Sequence, residues 1–278
     1  MVVASLGAVL AVAAPAAAHP GLHPGEAFTY AFSVGPIAGA RARMSVGLPV
    51  RRDGRSLVAV QGQAETISIV SLVAPVDAAY QVILDAETLL PQEVTSTERG
   101  LRERRFHSLI AGRTIDLEIV SPKRNAKVRR TTAREVRDPL SAYFVLRAAA
   151  LAIGDRFELD VLDGAVIWRA SLRVTAHEPV RLGEASDHLG PPQPAIRLDG
   201  TLVRIDDAGR AVPRVAPRTL ACWLADDPSR ALLRAEFDSE LGRARMELTS
   251  YLPPRRRATT ATAAVELPGV VRASPPPR

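Results

Sequence analysis

The residues best suited to chemistry in this sequence are aspartates at the ends of predicted elements. Asp226 and Asp227 are adjacent, and Asp138 and Asp155 flank the segment with the strongest helical pattern. Two carboxyl groups at a suitable separation can act as acid and base on a glycan. Helix capping by Asp138 and a turn before Pro228 explain the same residues without catalysis. The aspartates therefore predict either a polysaccharide hydrolase or a set of structural turns and caps.

Arg147 lies within an otherwise almost wholly apolar helical segment. A buried cation requires an acidic partner, and Asp227 is the acid that we expect to pair with it. Such a pair is expected to be structural rather than catalytic. Together with Trp223, which precedes the two aspartates, these residues form one candidate polar cluster, functional or structural, comprising Asp138, Arg147, Trp223, Asp226 and Asp227.

The motifs that usually hold metals, nucleotides or catalytic nucleophiles are absent. The sequence has no His-x-His, no HExxH, no G-x-S-x-G, no P-loop and no GxGxxG after a strand. Among the five histidines only His19 and His23 are close together, which permits at most weak metal binding. Cys222, the single cysteine, lies in an apolar stretch and is interpreted as a core residue. We therefore predict no catalytic residues, no metal and no cofactor.

The net charge of +6 does not indicate nucleic acid as a partner. The strongest basic run, residues 123–130, contains no aromatic side chain on which a base could stack. It is predicted to form a solvated loop or an edge strand, and an anionic surface is the alternative partner.

Alternating apolar residues predict strands through most of the chain, beginning with Phe28, Tyr30, Phe32 and Val34. Residues 67–76 fit a short helix or a buried strand equally well. Asp138 as N-cap and Pro139 as first helical residue predict one helix, stopped by Gly154. The predicted fold class is mainly β, with an antiparallel curved sheet or partly open barrel and one buried helix over about residues 138–152.

The first eighteen residues form a charge-free apolar run that ends in Ala16-Ala17-Ala18. This composition predicts a cleavable export signal cut after Ala18, although the usual basic start is missing and a buried element of the mature fold is the alternative. The predicted organisation is a signal segment at 1–18, one antiparallel β domain at 19–252 and a disordered Pro/Arg-rich tail at 253–278. A periplasmic or otherwise exported location without a transmembrane span is therefore expected.

Four landmarks in the sequence resemble the bacterial exported family known as domain of unknown function 3108. They are the opening Pro24-Gly25-Glu26 with Ala38-Gly39-Ala40, the turn at residues 84–91, the helix Asp138-Pro139-Leu140-Ser141-Ala142 through Arg147 with Gly154-Asp155, and Trp223-Leu224-Ala225-Asp226-Asp227. The proline that usually follows the last landmark is replaced by Ala231-Leu232-Leu233, and the loop at 183–194 diverges. The resemblance implies an exported, mostly β protein and supplies no catalytic residues.

Three functions from different classes remain open. A non-enzymatic envelope protein that binds a lipid, a glycan or an outer-membrane client requires a deep apolar pocket. A hydrolase requires two of the carboxylates of Asp138, Asp226 and Asp227 to face one cleft. A scaffold that binds another envelope protein by strand addition requires a long uncovered edge strand.

Overall fold

The computed structural model of the protein describes residues 19–35, 37–67, 76–100, 103–183, 191–239 and 242–254. The predicted signal segment and most of the predicted tail lie outside the described residues. So does most of the ambiguous segment at 67–76.

Fifteen strands within the described ranges form one antiparallel sheet. They are β1 Ala27–Val34, β2 Ile37–Val46, β3 Val50–Arg52, β4 Arg55–Thr66, β5 Val76–Asp85, β6 Pro91–Gly100, β7 Arg104–Ala111, β8 Thr114–Ser121, β9 Arg124–Thr131, β10 Arg156–Asp163, β11 Val166–Val180, β12 Gln193–Ile205, β13 Arg218–Ala225, β14 Leu232–Ser239 and β15 Gly242–Leu252.

The strands follow one another almost entirely in chain order, because short turns join antiparallel neighbours. The sheet order is β10-β11-β12-β13-β14-β15-β1-β2-β4-β5-β6-β7-β8-β9, with the short β3 paired only to β4. Pairing of β1 with β15 joins the two halves of the chain into one sheet. The basic run that was predicted as a loop or an edge strand is the edge strand β9.

The helix α1 spans Pro139–Ala148 and connects the two ends of the sheet order, β9 and β10. The predicted start is confirmed, but the helix ends before residue 152. Ala149 has an extended backbone (φ −74, ψ 149), and Leu151 beyond it packs with Leu146 in an apolar cluster. Gly154 does not stop the helix; it takes a positive φ of 101° in the turn before β10.

The core lies between the inward face of the curved sheet and α1. Phe144 is fully buried and belongs to the main cluster with Leu22, Phe28 and Leu84. The predicted fold class, mainly β with an antiparallel curved sheet and one buried helix, is therefore confirmed for the part of the chain that the structure describes. None of the helical segments in these ranges has the length and hydropathy of a membrane span.

Candidate functional site

Asp138 is buried beneath the first turn of α1 and acts as its N-cap. Its carboxylate accepts hydrogen bonds from the backbone amides of Leu140 (2.9 Å) and Ser141 (3.2 Å), and the Ser141 hydroxyl lies 3.0 Å from the Asp138 amide to complete a capping box. The Tyr80 hydroxyl also donates to Asp138, at 3.1 Å. Burial raises the pKa of the Asp138 carboxyl, although these hydrogen bonds act to lower it. The contacts with Leu140 and Ser141 are those of a structural helix cap.

The acid that pairs with Arg147 is Glu26, which corrects the expectation of Asp227. Neither side chain has any exposed surface. Arg147 Nη1 lies 2.5 Å from Glu26 Oε1, and Arg147 Nη2 lies 3.1 Å from Glu26 Oε2. Glu26 also accepts a hydrogen bond from the Tyr251 hydroxyl at 3.3 Å. The pair joins α1 to the segment before β1. Glu26, Arg147, Tyr251 and the Ser229 carbonyl, which also accepts hydrogen bonds from Arg147, are called the Arg147 network below.

Asp227 is exposed and affects Arg147 only indirectly, by shaping the turn before β14. Its carboxylate accepts hydrogen bonds from the amide and the hydroxyl of Ser229, at 2.8 and 2.6 Å. The Ser229 carbonyl then accepts from Arg147, whose Nε lies 3.0 Å away. Asp227 therefore positions the Ser229 carbonyl oxygen for Arg147 and does not form the charged pair.

Aromatic rings enclose the Arg147 guanidinium. The Phe28, Tyr143 and Phe144 ring centroids lie 5.7, 5.3 and 5.7 Å from its central carbon. Burial lowers the pKa of Arg147, but the neighbouring Tyr143 and Glu26 outweigh this and leave it raised. The guanidinium therefore stays charged at every ordinary pH.

Asp226 and Trp223 lie in the β13–β14 hairpin and contact different partners. Asp226 lies 3.0 Å from His177 Nδ1 and 3.0 Å from Arg230, and the hydrogen bond with His177 holds the pKa of the Asp226 carboxyl below its usual value. The Trp223 indole donates to Glu178 at 2.8 Å. The predicted cluster is thus divided among a helix cap, an ion pair and two hairpin contacts.

Sequence reasoning missed Glu26, although Pro24-Gly25-Glu26 had been recognised as a landmark. His23, weighed only as a weak metal ligand, has its Nδ1 2.9 Å from Arg147 Nη2. The proximity of a guanidinium favours a hydrogen-bond role for this imidazole. The position of Glu26 directly before an aromatic strand is the one sequence feature that makes it a candidate partner, and Asp227 has an equal claim as an acid at an element end.

An apolar cavity of about 530 Å³ lies on the inward face of the sheet, beside the Arg147 network. Its floor arises from side-chain size along the inward-facing rows of β2, β4 and β5. One row is filled by Val46, Val60 and Val82, which pair in register. Four residues away, back along β2 and β5 and forward along β4, the register brings together Ala42, Ala64 and Ala78. The row between them is Met44, Gly62 and Tyr80. The three alanines, with Gly62 beside them, leave room where the first row has three isopropyl groups.

Helix α1 and the two strands before β1 in the sheet order cover the cavity. Leu140 and Tyr143 of α1, Leu232 of β14 and Met246 of β15 line this side. At one flank the turn between β10 and β11 packs on Phe106. Gly164 in this turn lies so close to the ring that an added Cβ would be 3.3 Å from it. Most of the exposed surface of the lining is therefore hydrocarbon and aromatic.

Carboxyl groups provide polar atoms at the cavity wall. Glu98 follows Ala78 in the same row across the sheet, and Asp163 lies at the end of β10. Burial raises the pKa of Asp163; Arg218 acts to lower it and Glu98 adds to the increase. Neither residue belongs to the predicted cluster, and none of Asp138, Asp226 and Asp227 is among the residues that line the cavity.

Comparison with protein families bears directly on the four landmarks. The family model "Protein of unknown function (DUF3108)" matches residues 28–249. The chain belongs to the DUF3108 family. Three of the landmarks of this DUF3108 protein meet in space, since Glu26, Arg147 and Ser229 beside Asp227 are in direct contact. No curated protein matches the sequence.

Three solved structures are similar to this chain over most of its length. A "Beta-barrel-like Protein of Domain of Unknown Function DUF1849" from Brucella abortus is 11% identical, with a TM-score of 0.53, over 84% of this chain and 100% of that one. A Bacteroides fragilis protein assigned as exported, with a YmcC-like fold, is 5% identical over 83% and 97%, with a TM-score of 0.35. A Parabacteroides distasonis protein assigned as a lipoprotein is 6% identical over 82% and 95%, with a TM-score of 0.33. The first of these supports the fold of the DUF3108 chain and nothing further.

Proposed function

We propose that this protein is a non-enzymatic, exported carrier that holds a lipid or a similar apolar molecule in the cavity beneath α1. The apolar cavity is the observation that carries the proposal. Its volume of about 530 Å³ falls within the range of about 300–1,000 Å³ typical of small-molecule sites. The charge-free segment at 1–18 supports export.

The chemistry of the cavity favours a lipid over a glycan. A sugar would require hydrogen-bonding groups over most of the surface that it contacts, whereas apolar atoms make up most of the exposed lining, from the floor of Ala42, Ala64 and Ala78 to Leu140 and Met246 in the cover. Polar side chains are also among the lining residues, namely Arg43, Gln63, Ser96 and Thr97. Glu98 and Asp163 lie at the wall, where the polar end of an amphiphilic molecule could reach them. An acyl chain lying across the alanine floor satisfies both features.

The hydrolase hypothesis has less support. It needs two of the carboxylates of Asp138, Asp226 and Asp227 to face one cleft, and their contacts are a helix cap, an ion pair with His177 and Arg230, and a turn. The strand-addition hypothesis also has less support. β9 is an edge strand, but it presents Arg124, Lys127 and Arg129, and cations along an edge oppose pairing with another strand.

The test is a titration with a fluorescent fatty-acid probe, together with native mass spectrometry of protein purified from its own host. The variant Ala64→Phe fills the floor, and Gln61→Phe adds the same ring to an exposed position on the same strand as a matched control. We expect wild type and Gln61→Phe to bind the probe with equal affinity and Ala64→Phe to lose at least tenfold in affinity. Equal binding by Ala64→Phe, or no binding by the wild-type protein, would contradict the proposal.

A further inference from the structure

A short hairpin projects from the main sheet at residues 48–55. Its first strand, β3, pairs only with β4, and every residue from Leu48 to Arg55 is exposed. Asp53 and Gly54 both have positive φ (51° and 77°), as in the two-residue turns that match the twist of a hairpin. The backbone therefore presents this segment, called the 48–55 hairpin below, in one defined shape.

The hairpin exposes two large aliphatic side chains with no core to cover them. Leu48 is 70% and Val50 64% exposed, which places them among the most exposed large hydrophobic residues of the described ranges. A single exposed aliphatic residue is ordinary on a protein surface. Two of them lie close together at the base of this hairpin, since Val50 pairs with Leu57 and the turn is at Asp53-Gly54, and they form a small exposed apolar patch.

The same hairpin is strongly basic. Arg51, Arg52 and Arg55 accompany a single carboxylate, Asp53, which lies 3.8 Å from Arg52 in an exposed and therefore weak contact. Arg55 donates to Gln92 at 3.2 Å, a neutral partner. The cationic charge of the hairpin is thus largely uncompensated within it.

We propose that the 48–55 hairpin docks the protein on an anionic phospholipid surface. Leu48 and Val50 enter the boundary between head groups and acyl chains, and the arginines contact lipid phosphates. Aliphatic residues next to basic residues suit this boundary, because burial of hydrocarbon adds to attraction by the negative surface. Val50 and Arg52 lie on one face of β3, and Arg55 is directly opposite Arg52 on the same face, so a single lipid surface contacts the aliphatic residue and both arginines. The inference does not depend on the cavity, which is tested without vesicles.

The experiment is co-sedimentation of the full chain with vesicles of phosphatidylcholine alone or mixed with phosphatidylglycerol. Arg52→Gln/Arg55→Gln removes the two charges on the face of Val50, and Lys127→Gln/Arg129→Gln removes two charges from the edge strand β9 as the matched control. We expect the hairpin variant to lose about 25-fold in partitioning to the anionic vesicles, since each arginine near such a surface contributes about fivefold. The β9 variant should bind like the wild-type protein.

A second pair of variants tests the apolar patch of Leu48 and Val50. Leu48→Ser/Val50→Ser should weaken partitioning at least about tenfold, whereas Leu109→Ser, at a 48% exposed position on β7, should leave it unchanged. These positions are exposed, so the variants should unfold at the same urea concentration as the wild type. Equal partitioning of the hairpin variants and wild type, or an equal loss in the β9 variant, would overturn the proposal. A wild-type dimer that the hairpin variants abolish would assign the patch to self-association instead and would likewise overturn it.

Discussion

Removing either partner of the buried pair between Glu26 and Arg147 should destabilise the protein strongly. In Arg147→Met, the Glu26 carboxylate stays fully buried and keeps only its weaker contacts with Tyr251 and His23. In Glu26→Leu, the guanidinium keeps the Ser229 carbonyl but loses its counter-charge. Breaking one side of such a pair costs about 3–5 kcal/mol, because an uncompensated charge remains in the interior. For a folded unit of this size, the midpoint of thermal unfolding should fall by about 6–20 °C.

The double variant Glu26→Leu/Arg147→Met provides the decisive comparison. Both charges are then replaced by apolar groups of similar size, and such replacements are often close to neutral. The remaining cost is the lost donors to the Ser229 carbonyl, each a hydrogen bond of about 1 kcal/mol. We expect the double variant to be more stable than either single variant, with a coupling energy above about 2 kcal/mol.

Urea unfolding followed by tryptophan fluorescence measures all four proteins of this cycle. Asp227→Asn is the control, because Asp227 is exposed and bonds only within its own turn; it should cost no more than about 1 kcal/mol. Additive single substitutions, or a larger loss for Asp227→Asn than for Glu26→Leu, would refute the assignment of Glu26 as the partner.

Three further predictions follow from buried groups elsewhere. The Tyr30 hydroxyl is buried without a hydrogen-bond partner among the described residues, so Tyr30→Phe should raise the free energy of unfolding by about 1 kcal/mol in urea titrations; a loss would reveal a partner. Burial raises the folded-state pKa of Asp138, so its contribution to stability should be greatest below about pH 4 and decline as the pH rises through that pKa; a carboxyl resonance of Asp138 that titrates below 4 by NMR would contradict this. Burial also raises the pKa of the Cys222 thiol to about 12, so a thiol reagent should label it only after denaturation, and rapid labelling of the folded protein would show an accessible thiolate.

Local features of the fold could be predicted from the sequence because they depend on neighbouring residues. The alternation from Phe28, the Asp53-Gly54 turn and the Asp138 cap each act within a few residues. The partner of Arg147 could not be chosen in this way, since Glu26 and Asp227 were both acids at element ends. Only the three-dimensional path of the chain brings residues 121 positions apart into contact.

The cavity was harder still to predict, because its floor depends on strand register. Ala42, Ala64 and Ala78 lie on three strands, and each alanine by itself is an ordinary small residue. They leave a space only because pairing places them side by side. A shift of one residue in either pairing would turn one methyl group to the outer face and remove the floor.

The positions of the landmarks imply a division of roles within the molecule. Pro24-Gly25-Glu26, the segment from Asp138 to Arg147 and the turn at Asp227 meet in the Arg147 network, which binds the helix to the sheet. The floor of the cavity lies outside all of these motifs. Substitutions in the network should therefore lower stability and affect ligand binding only through unfolding, whereas substitutions at the floor should change ligand affinity in a protein of nearly unchanged stability. The Arg147 network thus holds α1 over the sheet, whereas the lipid that we propose would contact the alanine floor that α1 covers.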